Sequence, residues 1–369
     1  MPLILEQDAT KDIYKLCADN DLTLARIGYT NQDHLQAIIR GASQFATDKG
    51  IKRLPLGIFA TVGHYVLQQL PRYLDANFTL PTKGGDPKAY RRRLLCNIKL
   101  ATDFMTTLTD PEWSDFGNVH VIHHYDHGHH TLPGGVLSKD ELLRDADFLK
   151  FFSSVMFDDS HSPFEENMKN SREYREYLEK QGTPRVLEGC LEEVAAGGAG
   201  LEESTFTRPS DIVEYLEKTG YELVVPNIGT ESVHGEARGV QWQILEELQE
   251  LTVGHCLVIH GFSSIRTLDP ADQKRLGPLG CVAMNAFSYI PQRIGRQGLE
   301  RAANILKHQD DERGLPVDFD GDTPVYKNTG DANDFFGPLL DQVRDFQVRE
   351  IAATVYEILD NLGYEKLAS

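Results

Sequence analysis

Eight short apolar runs recur along the chain: LTLARIGY (22–29), LPLGIFAT (54–61), VHVIHHYD (119–126), FFSSVMFD (151–158), PRVLEGCL (184–191), ELVVPNIG (222–229), HCLVIHGF (255–262) and CVAMNAFS (281–288). Runs of this length suit strands buried on both faces of a parallel sheet. The segments between them carry helix punctuation. NQDHLQAIIRGASQFA follows the first run, with apolar residues at helical spacing and Asn31 placed as an N-cap. SPFEENMKNSREYREYLEK follows the fourth run. In TRPSDIVEYLEKTG, after the fifth, Pro209 stands in the first turn and Gly220 just past the end. RGVQWQILEELQELT follows the sixth, and Asp269-Pro270 opens the segment after the seventh. This alternation predicts a parallel α/β fold, and eight repeats favour a closed (β/α)8 TIM barrel over an open sheet.

A barrel of this kind takes about 250 residues, and the chain has 369. One barrel domain over 1–369 is therefore expected, with a core at about 22–306 and a C-terminal loop and helix at 307–369. An N-terminal helix (about 6–19) is placed to cap the barrel floor. The stretch 71–95, with Pro81, Gly84, Gly85 and Pro87, reads as an insertion before the helix leading to the third strand. Residues 308–334 are rich in Asp, Gly and Pro and read as a long loop, after which 335–363 returns as an amphipathic closing helix.

Composition narrows the function. Apolar residues make up 40%, and no run approaches the roughly 20 apolar residues of a membrane span. The opening MPLILEQDATKD has no basic n-region, so a secretory signal is not expected. Five scattered cysteines (Cys17, Cys96, Cys190, Cys256, Cys281) suit reduced thiols in a cytoplasmic enzyme, not a disulfide framework. A net charge of −19 repels nucleic acid and anionic lipid. Arg91-Arg92-Arg93 is too short a basic cluster to alter that, and reads as a solvated helix face. The expected partner is a small molecule.

The chemistry-bearing residues gather where the apolar runs end, which in a barrel is the active-site face. Thr61 closes the second run. The third leads into HHYDHGHH with Asp126 and His127, and the fourth ends at Asp158 and Asp159. His234 follows the sixth, His260 belongs to the seventh, and Asn285 and Ser288 to the eighth. Burying such groups costs free energy unless they are paired or bind a ligand. His127, His234 and His260 each precede a glycine, and three histidines at one rim match a catalytic zinc site with a position left open for substrate.

These segments together resemble the class II fructose-bisphosphate aldolase family, zinc-dependent (β/α)8 enzymes. The resemblance rests on His124-Tyr125-Asp126-His127, on SVMFDDSHSPFEEN (154–167), on Thr207-Arg208-Pro209, on GTESVHG (229–235), on HGFSS (260–264) and on Asn285, in family order across about 22–290. It implies that His127, His234 and His260 hold one Zn2+, with the acidic Asp158 near the ion. It implies that Asp126 moves the proton of the hydroxyl at the cleaved bond. Gly261, Ser263, Asn285 and Ser288 fall where the family holds the ketone-side triose phosphate. A glutamate on a Gly-Gly loop serves as a second acid/base, and in AAGGAGLEE either Glu202 or Glu203 takes that place. A homodimer or homotetramer is also implied. The chemistry is coherent on its own terms: breaking a carbon–carbon bond beside a ketone leaves an enediolate, a Lewis-acid metal stabilises that charge, and a carboxylate must shuttle the hydroxyl proton.

Some positions depart from the family pattern. Phe262 and Ser264 stand where the His-Gly-Gly-Ser-Gly pattern has glycines, and Phe287 replaces an aspartate. Cys190 stands at the strand-five carboxylate. The first-strand asparagine is absent, with Arg26 or Gly28 nearby, and no distal Asp-Pro-Arg is evident. The metal and acid/base residues are thus kept while the phosphate contacts are altered. Arg26, Arg266, Arg293 and Arg296 are candidates for a new anion contact or for ordinary salt bridges. The leading expectation is a zinc-dependent aldolase with a changed substrate. A metal-dependent epimerase or isomerase on the same scaffold, and a non-catalytic aldolase-like subunit, are the alternatives.

Overall fold

The computed structural model describes residues 3–60, 87–129, 139–192, 206–230, 240–251, 254, 256–287, 290, 294, 297, 300, 317–320, 323–326 and 332–368. All eight apolar runs contribute a strand: β1 (Leu24–Gly28), β2 (Leu54–Ala60), β3 (Val119–His129), β4 (Ser154–Asp158), β5 (Val186–Cys190), β6 (Leu223–Val225), β7 (Leu257–Ile259) and β8 (Cys281–Ala286). Each pairs in parallel with its sequence neighbours, and β8 pairs with β1, so the sheet closes on itself with helices between the strands. The chain forms the (β/α)8 TIM barrel predicted from its alternation. β1, β4 and β5 are buried at every position, as strands flanked by core on one side and helices on the other must be.

The helix signals in the sequence act as expected. Asn31 accepts a bond from the His34 amide at 2.8 Å and opens the helix Gln32–Lys49, which Gly50 ends in the left-handed conformation. Pro209 starts Pro209–Thr219, and Gly220 terminates it at φ 68°. Asp269 caps Pro270–Lys274 through the Ala271 amide.

The terminal extensions pack at the N-terminal ends of the strands. Leu3–Ile4 pairs with Val121 and Ile122 of β3, below the point where β3 meets β4 at His124 and Ser154. Ser153 stitches this corner, donating its hydroxyl to the Ile4 carbonyl and accepting from the His123 amide. The helix Gln7–Asp19 follows. At the other terminus, Tyr364 accepts a bond from the Ala25 amide of β1 at 2.8 Å. The helix Ala332–Asn361 runs parallel to Gln32–Lys49, joined by Arg344–Asp33 (2.7 Å), by Phe45 edge-on to Tyr356 (5.0 Å) and by Lys49–Asp360 (2.9 Å). Gly41 lies at that crossing, where an added Cβ would sit 2.4 Å from the Ala352 carbonyl oxygen.

Two expectations change. Residues 87–95 belong to a regular helix, Pro87–Thr109, because Pro87 supplies the fixed φ of a first turn. Within the predicted 308–334 loop, Val317–Asp320 and Thr323–Tyr326 pair as an antiparallel hairpin. Among the described residues no helix is long and apolar enough to cross a membrane, and the five cysteines are free.

Candidate active site

Successive residues of a strand point to opposite faces, yet Asp126 and His127 both serve the same end of the barrel. The cause is local. The β3–β4 register slips between Tyr125 and Gly128, and His127 adopts a left-handed backbone with φ 52°. A bulge re-aims side chains in this way beside active sites, and a non-glycine residue held there costs about 1–3 kcal/mol. The surroundings hold His127 in place. Its amide donates to the Met156 thioether at 3.4 Å, and its Nδ1 lies 2.8 Å from Asp158 Oδ2.

His260 follows β7 directly, and Gly261 turns the chain after it at φ 82°. The His127 and His260 rings stand 5.0 Å apart, edge to face. Ligand atoms of Asp126, His127 and His260 all lie within 4.8 Å of one another. Asn285, from β8, donates to Asp126 Oδ1 at 2.8 Å and lies 3.0 Å from His260 Nε2. Asp126 Oδ2 carries no hydrogen bond among the described residues and stands 3.8 Å from His127 Nε2. One carboxylate oxygen is thus anchored, while the other stands beside the His127 imidazole.

A charged layer lies directly beneath. Glu188 of β5 and Arg26 of β1 are both fully buried and pair at 2.6 Å. The free oxygen of Glu188 faces His260 Nε2 (3.4 Å) and His124 Nε2 (3.8 Å). His124, also fully buried, shares a 2.8 Å hydrogen bond with Ser154 Oγ through Nδ1, while its Nε2 has no hydrogen-bond partner among the described residues. Burial alone would raise the Asp126 carboxyl, but the His127, His124 and His260 imidazoles outweigh it and hold the group below the usual carboxylate range. Burial likewise works against Glu188, and Arg26 with His124 brings it down to about 2. His124 moves the other way: burial and the Arg26 guanidinium favour its neutral form. The carboxyls of Asp126 and Glu188 are thus drawn down while His124 is biased toward its neutral form, a strongly perturbed cluster of the sort that gathers at functional sites.

The structure brings together Asp126, His127, His260, Asn285 and Gly261 from the residues singled out in the sequence. Asp158 lies behind His127: Oδ2 meets the ring, and Oδ1 accepts from the Ser160 amide and hydroxyl. Thr61, Glu202, Glu203, His234 and Ser288 lie outside the described residues, as does the side chain of Ser263. Phe262 turns into the hydrophobic core, so it does not stand where its place in HGFSS would set it against a phosphate. Phe287 does lie at the rim, packed over Gly28 and beside the Phe59 ring (6.1 Å). Glu188 was not anticipated. Its signal was a lone carboxylate inside the apolar run PRVLEGCL, at the same strand parity as Cys190, with Arg26 similarly alone in LTLARIGY.

The His127 and His260 imidazoles, converging beside the Asp126 carboxylate, suit zinc, which binds imidazole nitrogen at about 2.0–2.1 Å. His127 has its other ring nitrogen engaged by a carboxylate, the usual arrangement for a metal-ligating histidine. The residues present therefore fit a divalent ion.

Comparison with known proteins agrees with the motifs. The family model for fructose-bisphosphate aldolase class-II matches residues 8–316. A fructose-bisphosphate aldolase of Staphylococcus aureus (strain Mu50) is 36% identical over 141 residues, covering 36% of this chain and 46% of that protein. One from Treponema pallidum is 30% identical over 173 residues, covering 40% and 47%. The chain thus spans about half the length of the relatives it matches. Among solved structures, fructose-bisphosphate aldolase from Campylobacter jejuni superposes with TM-score 0.67 at 18% identity, over 98% of this chain and 95% of that one. The YdjI aldolase from Escherichia coli K12 gives 0.59 at 16% identity, over 98% and 99%. At such identities the structures speak for the fold alone, whereas the match over 8–316 shows that this chain belongs to the class-II fructose-bisphosphate aldolase family.

Proposed function

We propose that this chain is a zinc-dependent aldolase, a carbon–carbon lyase that cleaves a small hydroxy-ketone or sugar-derived substrate, with phosphate contacts altered from the family pattern. The observation that carries the reading is the convergence of Asp126, His127 and His260 on one point at the bulged end of β3. His127 and His260, with His234, would hold the ion, and Asp158 would orient His127. A zinc ion held there would supply Lewis-acid stabilisation of the charge that develops on the ketone oxygen. Asp126 would take the proton of the substrate hydroxyl in cleavage and return it in condensation, through the oxygen that Asn285 leaves free. Asn285 keeps that carboxylate in place. Gly261, Ser263, Ser288 and Thr61 would bind the ketone side, and Glu202 or Glu203 would serve as the second acid/base. The assembly is expected to be a homodimer or homotetramer, which a solution mass at micromolar concentration decides.

The test is a panel of hydroxy-ketones and their phosphates incubated with zinc-loaded protein, with released aldehyde trapped by an NADH-linked reductase. Native protein should release aldehyde from at least one compound. Asp126→Asn should lose about 10²–10⁴-fold in turnover, the usual weight of a general acid/base, while still binding zinc. Epimerised product without aldehyde would replace cleavage by the same proton chemistry without bond scission.

A further inference from the structure

The two described histidines of the site have a carboxylate against one ring nitrogen each. For His127 it is Asp158, at 2.8 Å from Nδ1. For His260 it is Glu188, whose Oε1 stands 3.4 Å from Nε2. The second arrangement is built at unusual cost. Glu188 and Arg26 have no exposed surface, and three strands cooperate to seat them: β5 supplies the acid, β1 the base, and β2 the space. Gly57 of β2 has no side chain where Arg26 passes, since a Cβ there would lie 2.3 Å from Arg26 Cγ.

A buried ion pair is a poor stabiliser, because desolvating both ions offsets their attraction, and apolar residues of the same volume often serve as well or better. This pair is poorer than most, since Arg26 Nε and Nη2 have no hydrogen-bond partner among the described residues. Stability therefore does not explain it. Beyond Arg26, the pair turns Glu188 Oε1 toward His260 Nε2 at 3.4 Å, with His124 Nε2 farther off at 3.8 Å.

We propose that Glu188, its charge offset by Arg26, is a positioning residue for His260. By accepting the Nε2 proton it fixes the ring and leaves the Nδ1 lone pair for the ion, as Asp158 on Nδ1 leaves Nε2 of His127. The proposal rests on reading His127 and His260 as metal ligands. Asn285 is the competing orienter, because its Nδ2 is 3.0 Å from the same His260 nitrogen. If Nε2 accepts from Asn285, Glu188 has no hold on the ring.

The experiment compares zinc affinity, by competition with a chromophoric chelator, and the thermal midpoint of zinc-free protein. The variants are Arg26→Met/Glu188→Gln, Arg26→Lys and, as reference, Asp158→Asn. The double variant removes both charges together, so its zinc-free midpoint should match or exceed the native one. Its zinc affinity should nevertheless fall about 10–100-fold, the usual effect of removing a ligand's outer partner, and the reference should fall by a similar factor. Arg26→Lys keeps Glu188 charged and compensated, and should bind zinc within about threefold of native, a comparison that stands if the double variant does not fold. Native zinc affinity in the double variant, or a collapse of affinity in folded Arg26→Lys, would overturn the proposal and leave Asn285 as the orienter. A native chain that binds no zinc would instead overturn the ligand reading of the histidines.

Discussion

Asp158 Oδ2 lies 2.8 Å from Nδ1 of His127, a residue held in the left-handed region at the end of a bulged strand. Backbone strain and side-chain bond act on the same imidazole, so its direction is set from both ends. Asp158→Asn keeps the shape but removes the charge that polarises the ring. Zinc affinity is expected to fall about 10–100-fold with the barrel intact. Direct ligation by Asp158 would give a larger loss, and unchanged affinity would leave Asp158 with no hold on the metal.

Fructose 1,6-bisphosphate is expected to be a poor substrate. Burial of Phe262 removes one obstacle to phosphate that the sequence suggested, and the expectation now rests on Phe287 and on the missing distal Asp-Pro-Arg. Phe287 covers Gly28 at the rim between β1 and β8, where the family pattern has an aspartate. Each lost charge-assisted hydrogen bond to a phosphate costs about 1.5–3 kcal/mol. A coupled assay at millimolar substrate checks this on zinc-loaded protein. Turnover near ~10 s⁻¹, an ordinary enzyme rate, would show that the rim still takes the phosphate.

Acid should destabilise the fold through two histidines outside the metal site. Burial lowers His34 to about 4, with its Nδ1 2.7 Å from the Thr30 hydroxyl. Burial also lowers His123 to about 3, despite its bond to the Phe151 carbonyl. Both fold neutral, while in the unfolded chain they take a proton near 6.5. The unfolded state therefore binds more protons below that pH, and stability present above about 6.5 is lost as pH falls toward 4 and then 3. Between pH 7.5 and 5.5 each contributes a loss of about 1 kcal/mol. In urea unfolding, His34→Gln should lose less stability over this interval than native protein, and equal losses would show that His34 titrates normally.

Gly41 is expected to resist substitution even by alanine. Helix propensity alone would favour Ala by about 1 kcal/mol. The added Cβ, however, would meet the backbone of Ala352 on the parallel C-terminal helix, at 2.4 Å from its oxygen and 2.8 Å from its Cα. Overpacking of this kind costs about 1–3 kcal/mol, so Gly41→Ala should lower the urea midpoint. A raised midpoint would mean that the two helices separate freely.

Much of this was legible in the sequence because buried parallel strands and capped helices carry local signals. The eight apolar runs, Asn31, Pro209 and Gly220 needed no tertiary information. Asp126, His127, His260 and Asn285 were legible because a barrel gathers strand ends at one face. The Arg26–Glu188 pair was not, since it depends on which inward positions of β1 and β5 share a layer, and on Gly57 of the neighbouring β2 leaving space for Arg26. The inward turn of Phe262 was also hidden, as a residue following a glycine at φ 82° can face either way. The pairing of Val317–Asp320 with Thr323–Tyr326 joins two four-residue segments, too short to stand out from an Asp-, Gly- and Pro-rich stretch that composition reads as loop.

The most direct test is the rate of aldehyde release from chelator-treated protein as zinc is titrated back. The convergence of Asp126, His127 and His260 predicts a rate near zero without metal, rising to a plateau at one zinc per chain, with no recovery in His260→Ala. Release that is indifferent to chelation, or restored equally in His260→Ala, would contradict a catalytic metal at this site.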